Sequence, residues 1–118
     1  MIGTHLRLYT YENRRHDGAL LYEWLLEHAK NLGVHGGSAF RAIAGFGRHG
    51  RLHEQHFFEL AGEMPVLVEF VLADSEADAL LDLLRREDIH VFYTRVATEF
   101  GVTDSASADM ATTAERKD

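Results

Sequence analysis

The feature that most restricts the fold of this chain is a pair of strand-like segments separated by a long polar loop. Alternating polar and apolar side chains predict one strand over residues 36–44, and a nearly continuous apolar segment predicts another over residues 64–73. Residues 45–63 connect them and begin with Gly45-Phe46-Gly47. Compact domains mostly join strands with a handful of residues, and longer loops usually have a function or are disordered. We therefore expect the remaining chain to be a scaffold for this loop.

The second of these segments is apolar on both faces of the strand that it predicts. One face would carry Val66, Val68, Phe70 and Leu72, and the other Leu67 and Val71, with Glu69 as the only charged residue. Strands that are buried on both faces have such continuous apolar sequences. The simplest cover for the second face is another copy of the same chain, so the sequence predicts an oligomer.

Two further strands and two helices complete the predicted fold. Alternating patterns predict strands over residues 5–12 and 89–100. The resulting order, β-α-β-β-α-β, predicts an α+β ferredoxin-like sandwich with both helices on one face of the sheet. Residues 1–101 would form this domain, and residues 102–118, which are mostly small, polar or charged, would be a disordered tail.

Apolar residues at helical spacing define the two predicted helices. The buried residues would be Leu21, Trp24, Leu25, His28 and Leu32 in the first helix, and Ala77, Leu80, Leu81 and Leu84 in the second. Asp17-Gly18 would cap the start of the first helix, and Gly33 would end it. Ser75 would cap the second helix, with Asp78 completing a capping box. We interpret His28 as structural, because it lies beside the apolar stripe.

The composition of the chain argues against several classes of protein. Its 118 residues suffice for one domain with an apolar core, and the absence of cysteine excludes disulfides and thiolate metal sites. A net charge of −7 argues against nucleic-acid binding, which normally needs a basic face. No apolar segment reaches the roughly 20 residues of a membrane span, and the N-terminus has no signal-peptide pattern. We therefore expect a cytoplasmic protein that is not inserted in a membrane.

The loop region is basic within this acidic chain, which favours a small anionic ligand. Glycine backbone with exposed N–H groups, together with guanidinium groups, can bind such an anion. The candidate effector-binding residues are Arg15, Arg41, Gly45, Phe46, Gly47, Arg48 and Arg51. Arg14 and Arg15 follow the first strand and would join the others through a neighbouring subunit. In the alternative, the glycines only turn the chain and the arginines are solvated.

The loop histidines support a different site, for a divalent metal ion. His49, His53 and His56 are spaced by four and three residues, which would place them on one side of a helical turn. Imidazole binds zinc, copper or nickel, although Arg48 and Arg51 would repel a cation. The same histidines could instead respond to pH near neutrality.

Catalytic motifs are missing from the sequence. It contains no phosphate-binding P-loop, no His-Glu-x-x-His and no Gly-x-Ser-x-Gly. The spacing of the carboxylates does not indicate an acid/base pair. We therefore expect that the protein is not an enzyme.

The segments around the loop resemble the PII signalling proteins. The matching segments are Leu32-Gly33-Val34-His35-Gly36-Gly37-Ser38, Ala44-Gly45-Phe46-Gly47-Arg48 and the strand over residues 65–74. The N-terminal half is more similar to a PII-like family named domain of unknown function 190. Its matching residues are Glu12, Arg15, Gly18, Leu21-Tyr22-Glu23, Arg41-Ala42-Ile43-Ala44-Gly45-Phe46-Gly47 and Arg51-Leu52-His53. Together the resemblance covers residues 4–100.

This resemblance implies a homotrimer that binds an adenine nucleotide (AMP, ADP or ATP) or another small effector in clefts between subunits. The connection at residues 45–63 would be the T-loop, through which PII-like proteins regulate a membrane transporter or an enzyme. Two features depart from PII proteins. The segment at residues 84–89 lacks the glycines of the phosphate-binding B-loop, and the T-loop lacks the tyrosine that is nucleotidylylated. The sequence therefore predicts a PII-like sensor with a different phosphate grip, and the alternative is a metal-binding protein similar to the divalent-cation-tolerance relatives of this fold.

Overall fold

In a computed structural model, which describes residues 1–46 and 64–104, a four-stranded antiparallel sheet carries two helices on one face. Its strands are β1 (Ile2–Tyr11), β4 (Gly37–Arg41), β5 (Pro65–Leu72) and β6 (Phe92–Glu99), in the spatial order β4-β5-β1-β6. The helices are α1 (Leu21–Asn31) and α2 (Asp74–Arg86), and a small hairpin pairs β2 (Arg15–His16) with β3 (Ala19–Leu20). The predicted ferredoxin-like fold is confirmed, with one added hairpin. Within the described residues, neither helix is long and apolar enough to cross a membrane.

The core lies between the helices and one face of the sheet. The strands contribute Leu6, Leu8, Val66, Val68, Phe70 and Leu72, and α2 contributes Ala77, Leu80, Leu81 and Leu84, as predicted. Burial of each such leucine stabilises the fold by roughly 1.5–3 kcal/mol. This face of the sheet is therefore closed by the chain itself.

One predicted core residue of α1 is wrong. Leu21, Trp24 and Leu25 are buried, but Leu32 is 40% exposed because the helix ends at Asn31. Ala29 is buried in its place. His28 stacks on the indole of Trp24 with ring centroids 3.9 Å apart, and its Nδ1 lies 2.9 Å from the carbonyl oxygen of Trp24. These contacts fit the structural role that we assigned to His28.

Both predicted helix starts are wrong for local reasons. Asp17 and Gly18 have positive φ angles of 52° and 82° and form the two-residue turn of the β2–β3 hairpin, a turn that Asp-Gly strongly favours. The N-cap of α1 is Leu20, without a side-chain cap. Helix α2 starts earlier than predicted, with Ala73 as its N-cap. The carboxylate of Glu76, rather than that of Asp78, accepts a hydrogen bond from the N–H of Ala73 at 2.9 Å.

The predicted end of α1 is confirmed, and α2 ends in the same way. Gly33, at φ 97°, donates its N–H to Lys30, and Val34 donates to Ala29, which is a Schellman turn. After α2, Asp88 at φ 59° takes the place of the glycine, and Ile89 donates its N–H to Leu84 at 2.9 Å. Because Ile89 belongs to this turn, β6 begins at Phe92 rather than at the predicted residue 89.

The other strand boundaries differ from the predictions by a few residues. β4 covers Gly37–Arg41 instead of 36–44, although the N–H of Ala42 still donates to Pro65 at 2.9 Å. Pro65 begins β5, where its missing N–H is tolerated as predicted. Residues 105–118, which make up most of the predicted tail, lie outside the described residues.

The sheet face away from the helices, which we call the open face, is largely apolar. From the strand register it carries Tyr9, Phe40, Leu67, Val71, Phe92 and Val96. At its centre the Glu69 carboxylate lies 3.1 Å from Nε2 of His5 and 3.8 Å from Nε of Arg7. In the described chain, no element packs on this face to bury the six apolar side chains.

Candidate functional site

The strand order brings three connections to one end of the sheet. Every neighbouring pair of strands is antiparallel, so β1 and β4 end where β5 and β6 begin. Tyr11 pairs with Pro65 and Arg41 pairs with Val66 at this end. The loop after β1, the long β4–β5 connection and the turn between α2 and β6 therefore start or finish here, at what we call the loop end.

A cleft of about 750 Å³ opens at the loop end, between the loop after β1 and the turn after α2. Its apolar wall consists of Leu81, Leu84, Ile89 and Val91, together with the ring of Tyr93. We call it the loop-end cleft. An aromatic ring beside apolar surface can stack on a flat heterocyclic ring of a ligand.

Basic side chains also line the loop-end cleft. Arg14 Nη1 donates to the carbonyl oxygen of His90 at 2.7 Å, which ties the loop after β1 to the start of β6. Arg85 Nη1 donates to Asp82 at 3.1 Å, and the Arg85 side chain is 64% exposed. Each guanidinium has five N–H donors, and each of these contacts uses one of them.

The side chains that line the cleft include more basic than acidic groups in an otherwise acidic chain. Arg14 and Arg85 line it with a single carboxylate, Asp88, whose Oδ1 lies 2.9 Å from Nε2 of His90. The whole chain has a net charge of −7. Arg85 is partly neutralised by Asp82, but because that ion pair is exposed an anionic ligand can compete with Asp82 for the guanidinium.

The turn after α2 cannot bind phosphate in the manner of a glycine-rich loop. The N–H groups of Asp88 and Ile89 donate within the turn, to Arg85 at 3.1 Å and Leu84 at 2.9 Å. Backbone N–H groups that close a helix are not free to point at a ligand. Anion binding at this position therefore has to come from side chains, which agrees with the absence of glycine from residues 84–89.

The root of the long loop lies at the same end of the sheet, but its arginine is already paired. Arg41 Nη2 lies 2.7 Å from Glu12 Oε2 within one chain. The N–H of Glu12 donates to Met64 at 2.9 Å, so this pair joins β1 to both sides of the loop root. Gly45 and Phe46 follow on the surface, and Phe46 is 74% exposed.

The predicted effector residues thus fall into three groups. Arg41, Gly45 and Phe46 lie together at the loop root, whereas Arg15 lies in the β2–β3 hairpin and donates to Gly18 at 3.0 Å. The others are outside the described residues, namely Gly47, Arg48 and Arg51 and the alternative metal ligands His49, His53 and His56.

Arg85, His90 and Tyr93 were not predicted as site residues from the sequence. Arg85 lies in the last turn of α2, where a basic residue is common for reasons of helix stability, and it also lines the cleft. The signal was present, because a ferredoxin-like order places the turn after the second helix at the same end as the long loop.

The fold is that of PII-like proteins. One similar solved structure is that of a PII-like signaling protein from Thermus thermophilus. It superposes with a TM-score of 0.54 at 18% sequence identity, and the match covers 83% of this chain and 86% of the other. CPII from Thiomonas intermedia K12, solved with ADP, AMP and bicarbonate, gives a TM-score of 0.45 at 15% identity, over 86% and 100%.

The chain belongs to the DUF190 family. The model of that family, described as an uncharacterized ACR, matches residues 3–96. A UPF0166 protein of Aquifex aeolicus is 33% identical over 96 residues, which cover 75% of this chain and 91% of the relative. The predicted membership in the family named domain of unknown function 190 is confirmed.

Proposed function

We propose that this protein is a non-enzymatic PII-like sensor that binds a small phosphate-bearing effector in the loop-end cleft, with an adenine nucleotide as the leading candidate. The observation that carries the proposal is the cleft itself. It combines two arginine side chains with an apolar and aromatic wall, at the end of the sheet from which the long loop leaves. Binding there would change the conformations available to the loop, and therefore its contacts with a partner.

Arg14 and Arg85 would bind the phosphate group. Guanidinium groups form charge-assisted, often bidentate hydrogen bonds with phosphate oxygens, roughly twice as strong as neutral ones. Arg14 is held in place by its contact with His90, so a ligand would meet a partly ordered side chain. This grip substitutes for the glycine-rich loop that the turn after α2 lacks.

The base of a nucleotide would lie against Tyr93 and the apolar wall. Tyr93 is 37% exposed, and Leu84 and Ile89 beside it are buried and keep that wall apolar. Stacking of a base on an aromatic ring contributes about 1–3 kcal/mol. A free phosphate ion would gain nothing from this wall, so the cleft favours a nucleotide over inorganic phosphate.

The open face supports assembly of several copies, with a homotrimer as the arrangement that the PII resemblance implies. Phe40 is 50% exposed, Val71 45% and Val96 53%. Exposed apolar side chains of this size around the polar cluster of Glu69, His5 and Arg7 favour association with another chain.

The loop root would present the output surface. Ile43 is 98% exposed and Phe46 is 74% exposed, both directly before the long loop. Isolated exposed apolar side chains are ordinary, but two within four residues at a loop root suit contact with a partner protein. The partner would be a membrane transporter or an enzyme, as the resemblance implies.

Calorimetric titration with AMP, ADP, ATP and inorganic phosphate tests the proposal. We expect ADP or ATP to bind more tightly than phosphate. Arg85→Ala should weaken nucleotide binding by about tenfold or more, since a hydrogen bond to a charged group contributes about 1.5–3 kcal/mol. Arg86→Ala is the matched control, because it removes the same charge one residue away and Arg86 does not line the cleft.

Equal losses in the two variants would mean that only overall charge matters and would reject the cleft. Loss in Arg41→Ala, Arg48→Ala or Arg51→Ala with none in Arg85→Ala would move the site to the loop root. No binding of any of these ligands, combined with zinc binding that is lost in His53→Ala, would favour the metal-binding alternative.

A further inference from the structure

We propose that His16, Asp17 and Glu87 bind one divalent transition-metal ion, with Zn²⁺ as the best match, between the β2–β3 hairpin and the end of α2. One ligand atom from each residue lies within 4.8 Å of the other two. This site is distinct from the predicted loop histidines, and none of its three residues lines the loop-end cleft.

Two of the three separations between ligand atoms are close to those around a tetrahedral ion. His16 Nε2 lies 3.0 Å from Glu87 Oε1 and 3.5 Å from Asp17 Oδ2. Zinc binds nitrogen and oxygen at about 2.0–2.2 Å, which places tetrahedral ligands about 3.3 Å apart. The two carboxylates lie within 4.8 Å of each other, so an ion would replace the hydrogen bond between His16 and Glu87 and draw the carboxylates together. Three protein ligands also leave a fourth position for water.

Each ligand is fixed by an element of the fold. His16 belongs to β2, its side chain is 21% exposed, and its ring packs at 79° against Trp24 with centroids 5.0 Å apart. Asp17 is the first residue of the tight hairpin turn. Glu87 is the C-cap of α2, with its N–H donating to Leu83 at 2.9 Å. The backbone of all three residues and the His16 ring are therefore held before an ion arrives, which limits the entropy lost on binding to the two exposed carboxylate side chains.

The local charges favour a cation. Two carboxylates converge on His16, and one of them, Glu87, lies at the negative C-terminal end of α2, where an anion is unfavourable and a cation is stabilised. Arg15, the neighbour of His16 in sequence, directs Nη2 to the carbonyl oxygen of Gly18 at 3.0 Å. A mixed set of one imidazole and two carboxylates suits zinc better than magnesium, which prefers oxygen alone.

The single tryptophan makes the site measurable. Trp24 is the only tryptophan of the chain and contacts His16 directly. Zn²⁺ titration of the full, tag-free chain, followed by Trp24 fluorescence and by calorimetry, should show one saturable site. Glu87→Gln and His16→Ala should each weaken zinc binding by at least about tenfold, since even outer-shell changes at metal sites cost about 10–100-fold. His16→Ala would also remove the packing of His16 on Trp24 and could change the fluorescence by itself. Glu87→Gln is therefore the decisive variant, because the Glu87 side chain is exposed.

Two controls separate this site from other histidines. His90→Ala removes an exposed histidine that has a single carboxylate partner, Asp88, and should leave zinc binding unchanged. The combined change of His49, His53 and His56 to alanine should likewise preserve the fluorescence response. The proposal is overturned if the wild-type chain shows no saturable zinc site, if Glu87→Gln binds as tightly as the wild type, or if only the triple loop variant loses binding.

Discussion

Gly37→Ala tests the register that joins β4 to β5 and so positions the loop root. Gly37 pairs with Phe70, and a methyl group at residue 37 would lie 2.3 Å and 2.5 Å from two carbons of the Phe70 ring. Ordinary contacts begin near 3.4 Å, so the ring or the strand must move by about 1 Å. Phe70 is 2% exposed, which leaves its ring little room. Overpacking of this kind costs about 1–3 kcal/mol.

Gly36→Ala is the matched control, because a methyl group there meets no atom within 4 Å. Without strain, replacing glycine by alanine stabilises a protein by about 0.4–1 kcal/mol through the unfolded state. Because both variants gain this term, they should differ by the overpacking cost alone, about 1–3 kcal/mol in free energy of unfolding, measured with urea at one protein concentration. Equal stabilities would refute the register, and with it the position of Arg41 beside Glu12.

Three further predictions concern stability and assembly. Thr10→Val should raise the free energy of unfolding by about 1 kcal/mol, because the buried Thr10 hydroxyl has no hydrogen-bond partner in the described chain. A lower midpoint of urea unfolding would contradict this. Asp88→Gly should raise the free energy of unfolding by about 0.5 kcal/mol, because a residue with a Cβ is strained at φ 59°. A loss of thermal stability would contradict this and show that the exposed contact of Asp88 with His90 outweighs the strain. Val71→Glu should convert the proposed oligomer to monomers, as measured by sedimentation velocity. The control Asn31→Glu, on the exposed side of α1, should leave the oligomer intact. An oligomer that survives Val71→Glu would exclude the open face as the association surface.

The sheet and its core could be predicted because their signals are periodic and summed over many residues. Residues 64–73 are apolar at nearly every position, and the four buried residues of α2 recur at helical spacing. The two central strands follow from the β-α-β-β-α-β order once both helices are placed on one face. These features do not depend on any single residue.

The errors arose where one or two residues decide between local structures. Asp17-Gly18 can cap a helix or turn a hairpin, and the added pairing of His16 with Ala19 decides for the hairpin. Ser75 is a favourable cap, but Asp74 accepts a hydrogen bond from the Thr4 hydroxyl at 2.6 Å, across 70 residues of sequence, and the N-cap is Ala73, two residues earlier. A contact over such a distance leaves no trace in a local pattern.

The candidate site was only partly accessible from the sequence for a similar reason. The basic residues of the long loop are adjacent in sequence and therefore conspicuous, whereas Arg14 and Arg85 meet only after the chain folds. The pairing of Arg41 with Glu12 also lowers the free positive charge that the sequence suggested at the loop root.

The most direct test of the proposed cleft is an ADP titration followed by the backbone amide resonances of the protein. We predict saturable shifts at Asp88, His90 and Tyr93, and at Arg14 across the cleft, at nucleotide concentrations where inorganic phosphate causes none. Shifts confined to residues 41–46, or no shifts in any described residue at saturating ADP, would contradict the account.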